Sequence, residues 1–290
     1  MREAQKDGAF VVVLDSENAL DETFMSNLGV DISPTKLMYF GVVTIQDVTK
    51  VMSDFITGYE KEYGRTNKDA PKVFIVLDSL DMLLTEGENE KFEKGAQTGD
   101  MGQRAKLTKH LLRTITQRVS RLNMTFVFTH QVYPMDPMLG QGSWAINNAV
   151  KYCASSIALV TKLSLKDDTG IAGIRMRVET YKSRFAKLGS KIEIDVPYEK
   201  GMDPLSGVID LLIAKNIIES AGAWMTFHDP IDGPKKFQRK TFTEEIFMNI
   251  LARSPILQEE EKLIANDSHT AEILSESKPI DGDETSQDNE

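Results

Sequence analysis

The chain has 290 residues, of which 41% are hydrophobic and 27% are charged, so it is long enough to bury one main domain and a smaller second one. Its formal net charge of −10 excludes a protein that coats nucleic acid with its whole surface, because phosphate contacts need clustered Lys and Arg. A single cysteine excludes an internal disulfide, and no run approaches the roughly 20 apolar residues of a membrane span, which predicts a cytoplasmic protein without membrane contact.

Short apolar segments recur through the first half of the chain, with helix-like stretches between them. Their continuous apolar character is typical of strands that are covered on both faces, as in a parallel sheet with helices on each side. The predicted fold is therefore an α/β core. The predicted strands are Phe10–Leu14, Leu37–Phe40, Val73–Leu77, Met124–Phe128 and Ser156–Val160.

The pattern changes further along the chain. Ile174–Thr180 and Ile192–Val196 alternate apolar with polar residues, which predicts antiparallel strands added to one edge of the sheet. From Pro204 the sequence predicts helices, a strand that ends near Trp224, a Pro/Gly turn and a helix from Thr243.

Domain boundaries follow from these changes. We expect a core over residues 1–203 and a small α+β C-terminal domain over residues 204–257. Residues 258–290 are acidic and contain too few large apolar side chains to offset the entropy of ordering, which predicts a disordered tail.

Two of the predicted strands end in acids at the edge where α/β folds bind ligands. Val73–Ser79 places Asp78 there, in the Walker B arrangement in which an acid holds the water shell of Mg²⁺ on a nucleotide. The alternative is a helix N-cap, since Asp and Ser are common at that position. Leu14–Asp21 places Glu17 at the same edge, where a carboxylate could deprotonate an attacking water or be an exposed acid in a turn.

Polar groups also follow the fourth predicted strand. It runs into Thr129, His130 and Gln131, which could sense a γ-phosphate by hydrogen bonding. Because the carboxyl ends of parallel strands share one edge of a sheet, these groups are predicted to lie near the two acids. The sequence thus predicts a nucleotide site.

Gly102–Leu122 is predicted to form an amphipathic helix. Three cations, Lys106, Lys109 and Arg113, fall on one side of it at i, i+3, i+7 spacing. A solvated lysine face is the ordinary explanation, and a local site for nucleic acid is the other. The apolar side consists of Leu107, Leu111, Ile115, Val119 and Leu122.

Seven segments together resemble the RecA and phage UvsX recombinases, in the order found in that family. The resemblance covers roughly residues 5 to 228 and is closer to the UvsX branch, notably at KSR and at IDV followed by DPLSG. The segments are LDSENALDETFMSNLGVD, VFIVLDS, GDMGQRAKLTKHLLR, THQVY, NNAVKYCAS, YKSRFAKLGSKIEIDV and GMDPLSGVIDL.

The resemblance implies a RecA-like ATPase core with ATP and Mg²⁺ as cofactors. It implies Glu17 as the water-activating acid, and Asp78 with Ser79 as the Mg²⁺ site, Asp78 acting through water. Asp21 and Phe24 would contact adenine. Gln131, with His130 beside it, would link the ATP state to a DNA loop.

Lys182 and Arg184 match paired basic residues that in this family reach across a subunit interface to a neighbour's ATP. Two cations can neutralise the charge that develops on a transferring phosphate, so the resemblance places the chemistry between assembled subunits. The alternative is an exposed basic strand edge, which discourages edge-to-edge aggregation.

Two segments resemble the DNA loops of the family. They are KGAQTGDMG, before the basic helix, and the stretch between Gln131 and Asn148, which is too polar and irregular for a strand. The chain departs from RecA at Ile146 and Asn147, which stand where paired glycines are usual. The implied DNA contacts are Met101, Gly102, Lys106, Lys109, Arg113, Gly140, Gly142, Trp144 and Asn148.

The phosphate-binding motif GxxxxGK[ST] does not occur in the sequence. In the family it precedes the LDSENALD-like motif by about one helix, so MREAQKDGAF would correspond to the end of that helix. Two explanations remain: a C-terminal portion of a split or truncated gene, or a protein that has abandoned ATP hydrolysis. Retention of the five expected nucleotide-site residues favours the first.

The leading hypothesis is an ATP-dependent recombination and repair protein of bacteriophage type, acting in the host cytoplasm. It would form helical filaments on single-stranded DNA and pair that strand with homologous duplex, alone or with a separately encoded N-terminal segment. A non-hydrolysing accessory that caps filaments of intact recombinase is the second hypothesis. A hexameric helicase of the same fold is the third, which the recombinase order of the motifs disfavours.

Overall fold

The computed structural model describes residues 1–96, 101–134, 144–167, 170–184, 189–199 and 201–259. The chain has two compact units, Met1–Ala154 and Ser155–Glu290. Among the helices in these ranges, none is long and apolar enough to cross a bilayer.

The first unit contains a four-stranded sheet in the order β2-β1-β3-β4, and every pairing is parallel. Its strands confirm the predicted parallel core almost residue for residue. Val11–Leu14 is fully buried because both faces of the central strand β1 are covered. The strands are β1 (Phe10–Asp15), β2 (Leu37–Gly41), β3 (Val73–Asp78) and β4 (Met124–Phe128).

Helices cover both faces of this sheet, as predicted. Val11 and Val13 pack with Met25 and Val30, and strand alternation turns Val12 to the opposite face. Helices α3 and α5 pack against each other. The helices are α1 (Arg2–Lys6), α2 (Glu22–Asn27), α3 (Ile45–Tyr63), α4 (Glu86–Glu93), α5 (Met101–Val119) and α6 (Asn148–Cys153).

A short ladder lies within the stretch that was predicted to be too irregular for a strand. β5 (Tyr133–Pro134) pairs antiparallel with β6 (Trp144–Ala145). The prediction was wrong at these four residues, because a two-residue ladder depends on backbone pairing and leaves little trace in side-chain pattern.

The second unit begins with an antiparallel sheet of β7 (Ser156–Asp167), β8 (Gly170–Ser183) and β9 (Lys191–Pro197). Ser156–Val160, expected in the parallel sheet, instead starts β7 and pairs with β8. The strands expected to extend the parallel sheet form a three-stranded sheet of their own. Neighbouring long strands can pair locally, and an apolar run alone does not distinguish the two arrangements.

A second, smaller antiparallel sheet follows, in the order β10-β11-β12. The strand predicted before the turn is present, but its predicted end near Trp224 was wrong: it ends at Ala221, a turn at Gly222 with φ +64° follows, and Trp224 begins the next strand. The helix predicted from Thr243 is confirmed, with Thr243 as its N-cap. These elements are α7 (Val208–Ala214), β10 (Ile218–Ala221), β11 (Trp224–Asp229), β12 (Gly233–Gln238) and α8 (Glu244–Arg253).

Candidate functional site

The candidate site lies at the carboxyl edge of the parallel sheet. Strands β1, β3 and β4 run side by side and end at Asp15, Asp78 and Phe128. The residues that follow each strand therefore come together at one edge, which is where open α/β sheets bind ligands.

Four predicted residues form two direct hydrogen-bonded pairs there. The Ser79 hydroxyl donates to Glu17 Oε1 at 2.9 Å, and the Thr129 hydroxyl donates to Asp78 Oδ1 at 2.5 Å. Ser16 completes the junction, since its hydroxyl donates to the Ser79 carbonyl at 2.7 Å and accepts from the Ser79 amide at 2.8 Å. The Asp78–Ser79 peptide bond is cis. Sequence reasoning missed Ser16, although a hydroxyl beside a strand-terminal acid was a visible signal.

The loop that carries Glu17 is held by Asp15, which is only 2% exposed. Its carboxylate accepts from the amides of Glu17, Asn18 and Leu20 at 2.9, 2.8 and 3.1 Å. The Tyr39 hydroxyl donates to it at 2.9 Å. Burial alone would raise the pKa of Asp15, but these hydrogen bonds stabilise the charged form and lower it. No local sequence pattern indicates this role for Asp15.

Asp21 and Phe24, the predicted adenine contacts, both lie at the N-terminus of helix α2. Asp21 is the N-cap of α2 and accepts from the Phe24 amide at 2.7 Å. The Phe24 side chain is exposed on that helix. Its ring is therefore available for stacking, while the Asp21 carboxylate already has one backbone partner.

His130 and Gln131 are anchored by Asp81, a residue that sequence reasoning missed. Asp81 Oδ2 lies 2.7 Å from His130 Nδ1 and accepts from the Gln131 amide at 2.6 Å. Burial alone would raise the pKa of Asp81, but the bonds from His130 and Gln131 outweigh it and lower the pKa. The Gln131 side chain accepts from the Tyr133 hydroxyl at 3.1 Å. Both residues predicted to contact the cofactor are thus held by protein groups.

Helix α5 has the two faces that its sequence predicts. Lys106, Lys109 and Arg113 are exposed, whereas Leu111 and Ile115 are buried. The basic stripe is therefore presented to solvent, where phosphate groups could reach it.

The structure describes the remaining predicted DNA contacts to different extents. Gly102 is exposed on α5, and Asn148 is the first residue of α6. Met101 and Trp144 are placed by their backbone alone, in α5 and β6. Gly140 and Gly142 lie outside the described residues.

The two positions that depart from the RecA glycines have local roles. Ile146 is buried, with 6% of its surface exposed. Asn147 is the N-cap of α6, and its side chain accepts from the Ala149 amide at 2.8 Å. One side chain fills core volume and the other starts a helix, so neither position needs glycine here.

Lys182 and Arg184 belong to the second unit. Lys182 lies opposite Ile157 near the end of β8, and the Arg184 amide donates to the Ser155 carbonyl at 3.1 Å. The Arg184 side chain is exposed. Their predicted role across a subunit interface stays a prediction.

A cavity of about 530 Å³ lies at the opposite, amino end of the parallel strands. It is bounded by the starts of β1 and β3 and by the second half of α3, far along the strands from Glu17 and Asp78. The cavity and the cluster of acids and hydroxyls therefore lie at opposite ends of the strands. We take the cluster as the candidate site because its groups can carry out chemistry. The lining residues with titratable side chains are Lys36, Asp54, Tyr59, Glu62 and Tyr63.

A parallel sheet with helices on both faces and an acid-and-hydroxyl cluster at its carboxyl edge defines an open α/β protein whose ligand edge lies at the carboxyl ends of its strands. The family model of the RecA N-terminal domain matches residues 1–203. This match covers more than half of the chain, and the protein belongs to the RecA family.

Curated relatives agree with this assignment. The chain is 26% identical to Protein RecA of Gluconobacter oxydans over 253 residues, which are 84% of this chain and 67% of that protein. It is 28% identical to Protein RecA of Chloroherpeton thalassium over 259 residues, 87% of this chain and 68% of that protein. The chain thus spans about two thirds of their length. A crystal structure of the RadB recombinase aligns with 68% of this chain and 79% of its own, at 14% identity and a TM-score of 0.43.

Proposed function

We propose that this member of the RecA family is an ATP-dependent recombination protein that forms filaments on single-stranded DNA. In that role it pairs the bound strand with homologous duplex and promotes strand exchange. One observation carries the proposal: the unit that brings Glu17, Asp78 and Ser79 together also presents the exposed basic stripe of α5. Such a function needs a site for nucleotide and a basic face for DNA phosphates on one compact unit.

The chemistry proposed for the strand edge uses oxygen groups, which suit Mg²⁺. Within the described part of the chain no group of three or more His, Cys, Asp or Glu could enclose a metal. Asp78 and Ser79 would instead hold the water shell of an ion carried by the nucleotide. Glu17, fixed by the Ser79 hydroxyl, would orient and deprotonate a water. ATP supplies the phosphoanhydride bond whose cleavage turns the filament over.

We propose that hydrolysis is completed by a neighbouring subunit. Lys182 and Arg184 would approach the neighbour's nucleotide and neutralise charge on the transferring phosphate. The KSR segment that contains both residues, and IDV followed by DPLSG, also support placement in the phage UvsX branch.

The DNA proposal is tested by removing the α5 stripe. Lys106→Gln, Lys109→Gln and Arg113→Gln together should weaken binding to oligo-dT and lower the slope of log K against log salt by about 2, because each lost phosphate contact removes about 0.7. A matched control, Lys50→Gln, Lys61→Gln and Lys72→Gln, removes the same charge from exposed sites elsewhere in the unit. Equal weakening in the control would reject α5 as the DNA face.

A second candidate function is favoured by the missing GxxxxGK[ST] motif. A chain without that cradle would join filaments of an intact recombinase and alter their turnover as an accessory. We expect the chain alone to hydrolyse ATP poorly, and a polypeptide that supplies the motif to restore hydrolysis. Mixing the chain with intact recombinase tests the accessory role: inhibition or modulation of the partner at substoichiometric amounts supports it, and no effect counts against it.

A further inference from the structure

Asp81 is a junction between segments that lie far apart in sequence. It is three residues beyond Asp78, in the loop that follows β3. Its carboxylate holds the His130 ring and the Gln131 amide, and its carbonyl accepts from the guanidinium of Arg104 on α5. One short loop therefore connects the acid at the strand edge with the end of β4 and with the helix that carries the basic stripe.

His130 extends this junction to α6. Its side chain is 12% exposed, and Nε2 accepts from the Asn147 amide at 3.4 Å. Because Nε2 accepts from an N–H group, it carries no hydrogen, so the hydrogen of the neutral ring is on Nδ1 and is donated to Asp81. The imidazole thus joins the loop after β3 to the N-cap residue of α6.

We propose that Asp81 and His130 are positioning residues that couple the nucleotide edge to the DNA-facing elements, an inference that rests on the proposed function. Asp78 and Asp81 share one loop, so a displacement of Asp78 and Ser79 moves the Asp81 carboxylate. Hydrogen bonds with fixed geometry carry that displacement to Gln131, to Arg104 on α5 and, through His130, to the start of α6. We name this set of contacts the Asp81–His130 bridge.

The coupling requires the two residues to act as one unit. Asp81→Ala and His130→Ala should each weaken oligo-dT binding roughly 2- to 30-fold. The double variant should be no weaker than the worse single variant, since either change breaks the same path. Asp81→Asn, which keeps the side-chain shape and one acceptor, serves as a second variant if an alanine variant does not fold.

Two further measurements separate positioning from general loss of stability. Nitrogen-15 NMR of the wild-type histidines should show His130 protonated at Nδ1 and unprotonated at Nε2, and His130→Ala should speed hydrogen exchange at the Asn147 amide. Tyr59→Phe is the matched control, because it removes one hydrogen bond, to the Pro71 carbonyl at 2.9 Å, at the opposite end of the sheet. It should leave DNA affinity unchanged.

The outcomes separate this inference from the proposed function. If the wild-type chain does not bind oligo-dT, the proposed function fails and the coupling fails with it. If the wild type binds and the Asp81 and His130 variants bind equally well, only the coupling is rejected. Additive losses in the double variant, or equal weakening by Tyr59→Phe, would also overturn it.

Discussion

At the residue scale, the position of Glu17 depends on a buried acid that contacts no ligand in the proposed mechanism. Asp15 terminates a fully apolar strand and accepts four hydrogen bonds from the loop and from Tyr39. A buried carboxylate is tolerated because every bond stabilises its charged form. Asp15 thus fixes the loop that brings Glu17 to Ser79, although Asp15 itself lies outside the site.

Asp15→Asn should destabilise the protein by about 1–3 kcal/mol, because the amide NH₂ would face backbone N–H donors and leave them unpaired. Tyr39→Phe removes one donor and leaves the three amide bonds, so it should cost about 0.5–1.5 kcal/mol. Urea unfolding measures both changes. Equal losses in the two variants would show that the amide bonds contribute nothing beyond the tyrosine contact.

The same carboxylate gives a pH dependence whose sign is fixed by its pKa. The pKa of Asp15 is lowered in the folded state relative to about 3.9 in an unfolded chain. Its stabilisation is therefore complete above the unfolded value and is lost as pH falls through the folded value. The difference in unfolding free energy between wild type and Asp15→Asn should shrink below about pH 4. A constant difference from pH 6 to pH 3 would contradict this assignment.

Sequence reasoning reached the acids at the strand ends but not the residues that hold them. Glu17 and Asp78 each follow an apolar strand, so the sequence pattern alone predicts that both lie at the carboxyl edge of the sheet. Ser16 meets Ser79 across 63 positions and Asp81 meets His130 across 49, and such contacts depend on how loops approach in space. No local pattern encodes that approach.

At the element scale, prediction succeeded where the spacing of apolar residues fits one kind of element. It failed where the same apolar run is compatible with two kinds of sheet. The α5 helix was predicted because its apolar and basic residues separate cleanly at helical spacing. Ser156–Val160 was assigned to the wrong sheet because a short apolar run looks the same in parallel and antiparallel pairing, although in β7 these residues alternate between exposed and half-buried positions.

Strands β8 and β9 carry three directly opposed charge pairs. Arg175 donates two hydrogen bonds to Asp195 at 2.6 and 2.9 Å, and Arg177 donates to Glu193. Lys191 and Glu179 form the third pair at 3.0 Å. All six positions lie on one face of the sheet, so the pairs favour the observed register over a slipped one.

A double-mutant cycle of Arg175→Ala and Asp195→Ala should give a coupling free energy of about 0.5–1 kcal/mol. The value is modest because both side chains are more than a third exposed, at 40% and 38%, and water screens the pair. In 1 M salt the coupling should fall, since the Debye length shortens to about 3 Å. A coupling that does not respond to salt would assign the effect to packing of the arginine stem.

At the scale of the whole molecule, the charge is distributed unevenly. Residues 260–290 contain ten of the 44 acidic residues and two of the 34 basic residues. The rest of the chain is close to neutral, although the net charge is −10. An acidic chain can therefore bind DNA through a local basic stripe, because most of the negative charge that repels DNA lies in one terminal segment.

Removal of residues 260–290 should tighten binding to oligo-dT, because the formal net charge changes from −10 to −2 and the segment no longer competes with phosphate for Lys106 and its neighbours. The gain should be largest at about 0.01 M salt, where the Debye length is about 30 Å, and small at 0.15 M. A control chain that keeps the segment but replaces its acids with Asn and Gln separates charge from length. If that control binds like the wild type, electrostatic competition is rejected.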